Sequence, residues 1–277
     1  MDNMLAFKQC LDAPDDTLNL GRAALLIALE EYPDLDIDSY IERLDRLADR
    51  ARARLTSRTS AQEAVEALNC TLFDEEGFAG NTSDYYDPRN SLLNEVLDRK
   101  LGIPITLSVV YLEVGRRLGL PLSGISFPGH FLVKLPQAVG DLVLDPFHGG
   151  KLLQETELTR RLGELFHAHS GAMELQQLLQ NAGKREILAR LLRNLKAIYF
   201  QKGDLPRSLS FNNWILLATP DSAADIRDRG LLLEQLDCAQ AAASDYRRYL
   251  TLAPAAADRS VIRQRLGFLE PLRPSLN

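Results

Sequence analysis

The sequence predicts an α+β, mostly helical chain in which helices pack on a small antiparallel sheet and an all-α repeat domain follows. Three observations carry that expectation. Apolar residues recur at helical spacing through most of the first 120 positions. The stretch from Gly129 to Asp145 alternates around a turn like a β-hairpin. Residues 34 apart correspond along the tail. A length of 277 residues exceeds the usual single-domain range of about 100–200, and these patterns set the division at 1–180 and 181–277.

The first seventy residues read as wholly helical. One helix is expected around Ala23–Glu31, Pro33 ends it, and Leu44, Leu47, Ala48, Ala51 and Leu55 keep helical spacing in the next. Ser60 with Glu63 is a capping box opening a third. Leu72 to Tyr86, with Gly77, Gly80, Asn81 and Asp84, breaks periodicity and reads as a long loop of the kind that often serves function. Asp87-Pro88 then opens a helix with Leu92, Leu93, Val96, Leu97 and Leu101 on its apolar face and Gly102 as its stop. Pro104 opens another, with a buried stripe of Leu107, Val110, Tyr111, Val114 and Leu118, ended by Gly119 and Pro121. A strand around Ile125–Phe127 leads into the hairpin, whose turn is supplied by Pro136 to Gly140. Its simplest register pairs Leu132 with Val143 and sets His130 opposite Asp145, Cβ atoms roughly 5 Å apart. A carboxylate that close orients a histidine and stabilises its charged form.

In the tail, Tyr199 corresponds to Leu233, Leu209 to Ala243, Leu216 to Leu250 and Pro220 to Pro254. Each block holds two helices. The pattern resembles the tetratricopeptide repeat, which has a period of about 34 residues and a second helix ending near a proline. Two full units fit, so a further helix over Asp258–Leu269, or the front domain, is expected to cap them.

Composition narrows the classes. Apolar residues make up 45%, enough for ordinary cores. Cys10, Cys70 and Cys238 form no CxxC pair, fit a reducing compartment and read as core thiols. No basic leader and no apolar run of membrane-spanning length is present, so a cytoplasmic protein without membrane association is expected. Positions 1–180 hold 17 basic and 28 acidic residues, whereas 181–277 hold 15 and 10. Complementary fields of that kind favour docking of the tail on the front domain, as a support or lid, or an acidic partner for the tail. Nucleic acid is disfavoured, because Arg50, Arg52, Arg54 and Arg58 lie along one amphipathic helix and read as its solvated face.

Several motifs occur in order: Gly77-Phe78-x-Gly80-Asn81, Asp84-Tyr85-Tyr86, Asn90-Ser91, Gly102-Ile103-Pro104-Ile105, Phe127-Pro128-Gly129-His130-Phe131 and Leu144-Asp145-Pro146-Phe147. Over about residues 60–155 they resemble the SirB family, a branch of the transglutaminase-like superfamily, in which a tetratricopeptide tail is the usual companion. The resemblance implies a papain-like fold with a cysteine nucleophile at a helix start, a histidine on a strand and an aspartate on the next. A helix terminus and a histidine together depress a thiol's pKa and leave a reactive thiolate.

His130 and Asp145 match the second and third members of that triad. Pro104 occupies the place of the first, and Cys10, Cys70 and Cys238 all lie elsewhere in the chain. Cysteine-dependent acyl transfer is therefore not expected. Ser108, one helical turn beyond Pro104, is the better hydroxyl substitute and Thr106 the weaker, against the reading that both bond local backbone. Asn81, Asp84, Asn90 and Pro104 are candidates for lining a cleft over His130, although the first three also suit ordinary turn chemistry. No cofactor or metal is implied: His167 and His169 lack the i, i+4 spacing of metal helices, His148 before Gly149-Gly150-Lys151 lacks phosphate-loop spacing, and Asp74-Glu75-Glu76 reads as a solvated acidic turn. The leading expectation is a regulatory or scaffold protein that binds a protein or peptide through its helical repeat. The alternative is a hydrolase or acyltransferase acting on peptide or amide substrates, with Ser108 or Thr106 as nucleophile, His130 as base and Asp145 orienting it.

Overall fold

The computed structural model describes residues 3–56, 59–138, 140–166 and 172–269. It divides into two compact units, Met1–Leu191 and Leu192–Asn277. His167, His169 and Arg58, singled out in the sequence, lie outside the described residues.

The first unit opens with four helices, α1 (Asn3–Leu11), α2 (Leu20–Ala28), α3 (Ile37–Arg52) and α4 (Ala61–Asn69). The capping box at Ser60 and Glu63 is present, with the Ser60 amide 2.7 Å from the Glu63 carboxylate. The expected loop after it is partly ordered. Cys70–Glu75 continues α4 as a π-helical turn, and Ala79–Gly80 is a short strand, β1. The acidic run is not simply solvated: Glu75 pairs with Arg50 and Arg54, and Glu76 with Arg50 and Lys100. Two of the arginines read as a solvated face thus anchor this turn.

The helix expected from Asp87 to Gly102 is broken in three. Pro88–Ser91 is a 3₁₀ turn capped by Asp87, Leu92 is extended, and α5 spans Leu93–Arg99. It stops at Lys100, whose φ of +62° is left-handed, so Leu101–Gly102 is free to form β2, parallel to β1. Helix α6 (Pro104–Arg117) starts on Pro104, where the missing N–H costs nothing. Every residue from Pro104 to Gly115 is buried, so it is a central helix and not one with a single apolar stripe. Gly119, at φ +79°, ends it.

Strands β3 (Ser123–Ile125), β4 (Leu132–Leu135), β5 (Leu142–Asp145), β6 (Lys151–Leu153) and β7 (Asn181–Ala182) form one antiparallel sheet in the order β6-β5-β4-β3-β7. The expected hairpin register is corrected by two residues: Val133 pairs with Leu144 and Lys134 with Val143. A slip of one residue turns every side chain to the opposite face, whereas a slip of two preserves the faces and leaves His130 diagonal to Asp145 instead of opposite it. Helices α7 (Glu155–Phe166) and α8 (Ala172–Leu178) pack on the sheet through Leu158, Leu162 and Leu175, which join Ile125, Phe127, Leu132, Val143 and Leu153 in one core.

Helix α9 (Lys184–Gln201) follows, then α10 (Leu205–Ala218), α11 (Ala223–Gln235), α12 (Ala239–Leu252) and α13 (Arg259–Leu269). Two helix pairs and a closing helix are what the 34-residue correspondence requires. Leu216, Ile226, Tyr246, Tyr249 and Ile262 form the core of this second unit, with Trp214 fully buried. Tyr246 packs so closely on Gly230 that a Cβ there would come within 2.6 Å of its ring. The cysteines are not core thiols: Cys10 and Cys70 are half-buried and Cys238 is exposed. Among the described residues, no helix is long and apolar enough to cross a membrane.

Candidate functional site around His130 and Asp145

Phe127-Pro128-Gly129-His130 is a tight turn. The His130 amide donates to the Phe127 carbonyl at 3.1 Å, and Gly129 has φ +67°. Proline followed by a left-handed glycine suits a type II turn, and only glycine takes that third position without strain. Arg190 of α9 clamps it, donating to Ser126 Oγ and to the His130 carbonyl, both at 2.6 Å. Its guanidinium also lies 5.4 Å from the centre of the Phe131 ring. The turn is thus held on both sides of the histidine.

Asp145 ends β5 and is fully buried. Pro146 stops the strand, Pro146–His148 forms a 3₁₀ turn, and left-handed Gly149 and Gly150 reverse the chain so that the Gly150 amide donates to the Asp145 carbonyl at 2.9 Å. His130 Nε2 lies 2.8 Å from Asp145 Oδ1, and His148 Nδ1 lies 2.8 Å from Oδ2. An ionised carboxylate only accepts, so His130 Nε2 and His148 Nδ1 are the donors in these two bonds. Arg161 of α7 donates to Oδ2 at 3.1 Å. Burial alone would raise the Asp145 pKa, but the hydrogen bonds and charges of His130 and His148 outweigh it and bring it from the ordinary 3.8 to about 2.

Aromatic rings surround the pair. Phe147 meets His130 edge-on at 5.9 Å, and the His148 ring stacks on His130 at 5.8 Å. Tyr85 packs on Phe147 and Tyr86, both tyrosines being exposed. Phe147 fills the space over Gly80, where a Cβ would come within 2.5 Å of its ring, and Gly80 pairs with Gly102 two residues before Pro104. A continuous chain of contacts therefore connects His130 to the start of α6.

At that helix start both hydroxyls are engaged with backbone. Ser108 Oγ donates to the Pro104 carbonyl at 2.7 Å. Thr106 Oγ1 donates to the Asn90 carbonyl at 2.7 Å and accepts from the Ile103 amide at 3.0 Å. Both residues are buried. Asn81 Nδ2 donates to Asn90 Oδ1 at 3.0 Å, and Asn90 Nδ2 donates to the Asp84 carbonyl at 2.7 Å, so these three residues brace the 81–90 loop. Asp84 itself is exposed.

Three participants were not found by sequence reasoning. Arg161 and Arg190 come from distant helices, and no local pattern marks them. His148 stands three residues after Asp145, a spacing that the Asp-Pro turn converts into contact; that turn was the available signal. The ligating atoms offered by His130, Asp145 and His148 all lie within 4.8 Å of one another.

Comparison with known proteins agrees with this anatomy. Residues 38–193 match the family model described as transglutaminase-like superfamily, and residues 195–267 match the tetratricopeptide repeat. The UPF0162 protein of Xylella fastidiosa strain Temecula1 is 42% identical over 257 residues, covering 91% of this chain and 90% of the relative. The UPF0162 protein of Pseudomonas aeruginosa is 37% identical, covering 95% of each. Protein SirB1 of Salmonella typhimurium is 26% identical, covering 82% of this chain and 83% of its own length. No solved structure matches the chain.

Proposed function

We propose, from the premise that this chain belongs to the transglutaminase-like superfamily, in the branch of the UPF0162 and SirB1 proteins, and continues into tetratricopeptide repeats, that it is a regulatory or scaffold protein with an enzyme-derived front domain. Its repeat unit recruits a protein or peptide partner, since stacked helical repeats present surfaces suited to extended chains. The observation that carries this reading is at the start of α6, where the resemblance expects a thiol: Pro104 stands there, and the Ser108 and Thr106 hydroxyls donate to the Pro104 and Asn90 carbonyls.

A hydrolase or acyltransferase using Ser108 or Thr106 would need one of these hydroxyls to leave its carbonyl and reach His130 to within about 3.2 Å. The intact His130–Asp145 pair is what keeps that second reading in view. A fluorophosphonate probe separates the two. On the scaffold reading the native protein stays unlabelled at probe concentrations that label a serine hydrolase. Labelling abolished by both Ser108→Ala and His130→Ala would overturn it in favour of the enzyme.

A further inference from the structure

We propose that His130, Asp145 and His148 form a binding site for a divalent transition-metal ion of the zinc class. Two imidazoles and one carboxylate are a donor set such ions favour, and three protein ligands leave a position open to water or another ligand. The proposal holds whether or not the protein is an enzyme.

The anchor is in place. Asp145 is fully buried, ionised and fixed at the end of β5, with one oxygen toward each ring. His130 is set by the turn that Arg190 clamps, and its side chain is 15% exposed. His148 is 53% exposed and opens the site to solvent. Its 3₁₀ turn is followed by two left-handed glycines, Gly149 and Gly150. The donor atoms lie within 4.8 Å of one another, and nitrogen ligands around tetrahedral zinc sit about 3.3 Å apart. A small swing of His148 closes that difference. Ligation through His130 Nε2 and His148 Nδ1 requires each of these nitrogens to give up its proton, to the other ring nitrogen in a neutral ring or to solvent from a charged one, and no group must be oxidised or reduced.

One neighbour opposes the ion. Arg161 lies 3.1 Å from Asp145 Oδ2, and its charge would repel a cation. It already has a second acceptor, Glu157, 3.2 Å from its Nε, toward which it can retreat. Arg161 therefore sets the affinity without blocking the site. This gives the proposal a signature that chance binding to surface histidines lacks: removing a positive side chain that is no ligand should tighten binding.

The test uses untagged full-length protein stripped with chelator and titrated calorimetrically with zinc chloride. One equivalent should bind. His148→Ala and His148→Gln, half-exposed changes that leave the Asp145–His130 pair intact, should each weaken binding by at least about tenfold. Arg161→Gln should tighten it about threefold or more. The double variant His167→Ala/His169→Ala should bind like the native protein. Absence of stoichiometric binding, a native affinity in both His148 variants, or loss of binding in the His167/His169 variant overturns the site. Unchanged or weaker affinity in Arg161→Gln overturns it as well.

Discussion

At the scale of single residues, Asp145 is a fully buried carboxylate bonded by three side chains, His130, His148 and Arg161. Its pKa lies near 2 in the folded protein against 3.8 ordinarily, so unfolding takes up protons between those values. Its contribution, about 2 kcal/mol, is complete above pH about 4 and is lost as the pH falls toward 2. Urea unfolding of the native protein and Asp145→Asn should show a gap at pH 6 that narrows toward pH 2; a gap constant across that range would contradict this assignment. The two buried hydroxyls of α6 should differ sharply. Thr106→Val orphans both the Ile103 amide and the Asn90 carbonyl and should cost about 2 kcal/mol. Ser108→Ala removes only a bond back to a helix carbonyl and should stay within about 1 kcal/mol. Thermal denaturation of the pair measures the difference. Sequence made His130 and Asp145 legible because hairpin alternation is a local code. Arg161 and Arg190 were invisible, since nothing near them announces a partner 16 or 60 positions away.

Among elements, legibility followed the range of the interaction that decides them. The capping box at Ser60 and the proline start of α6 are local and were read directly. The break at Leu92 and the left-handed stop at Lys100 were not, because they let Leu101–Gly102 pair with Ala79–Gly80, a contact across 22 positions. The hairpin register failed by an even number for a related reason: apolar alternation fixes the face and leaves its position along the strand undetermined. The Phe127–His130 turn is the element to disturb. Arg190→Ala removes the hydrogen bonds to Ser126 Oγ and to the Phe127 and His130 carbonyls, and the cation over Phe131. Amide exchange at residues 129–131 should speed up by about tenfold with little change at β5; uniform exchange in both would show that Arg190 does not hold the turn.

For the whole molecule, the two compact units meet in sequence inside α9. Each has its own apolar core, the front one around the sheet and the second around Tyr246 and Ile262, as units able to fold alone do. Calorimetry of the full chain should resolve two transitions, and fragment 1–191 should reproduce one of them. A single transition, with the fragment aggregating, would make the repeat unit an obligatory support. The 34-residue correspondence made the second unit legible as a whole, since each repeat restates its neighbour's pattern. The chain's single tryptophan, Trp214, is sealed in the interior of that second unit. Light near 295 nm, which tyrosine scarcely absorbs, therefore excites this unit alone, so the protein carries its own optical label for the repeat while the unit holding His130 and Asp145 stays dark.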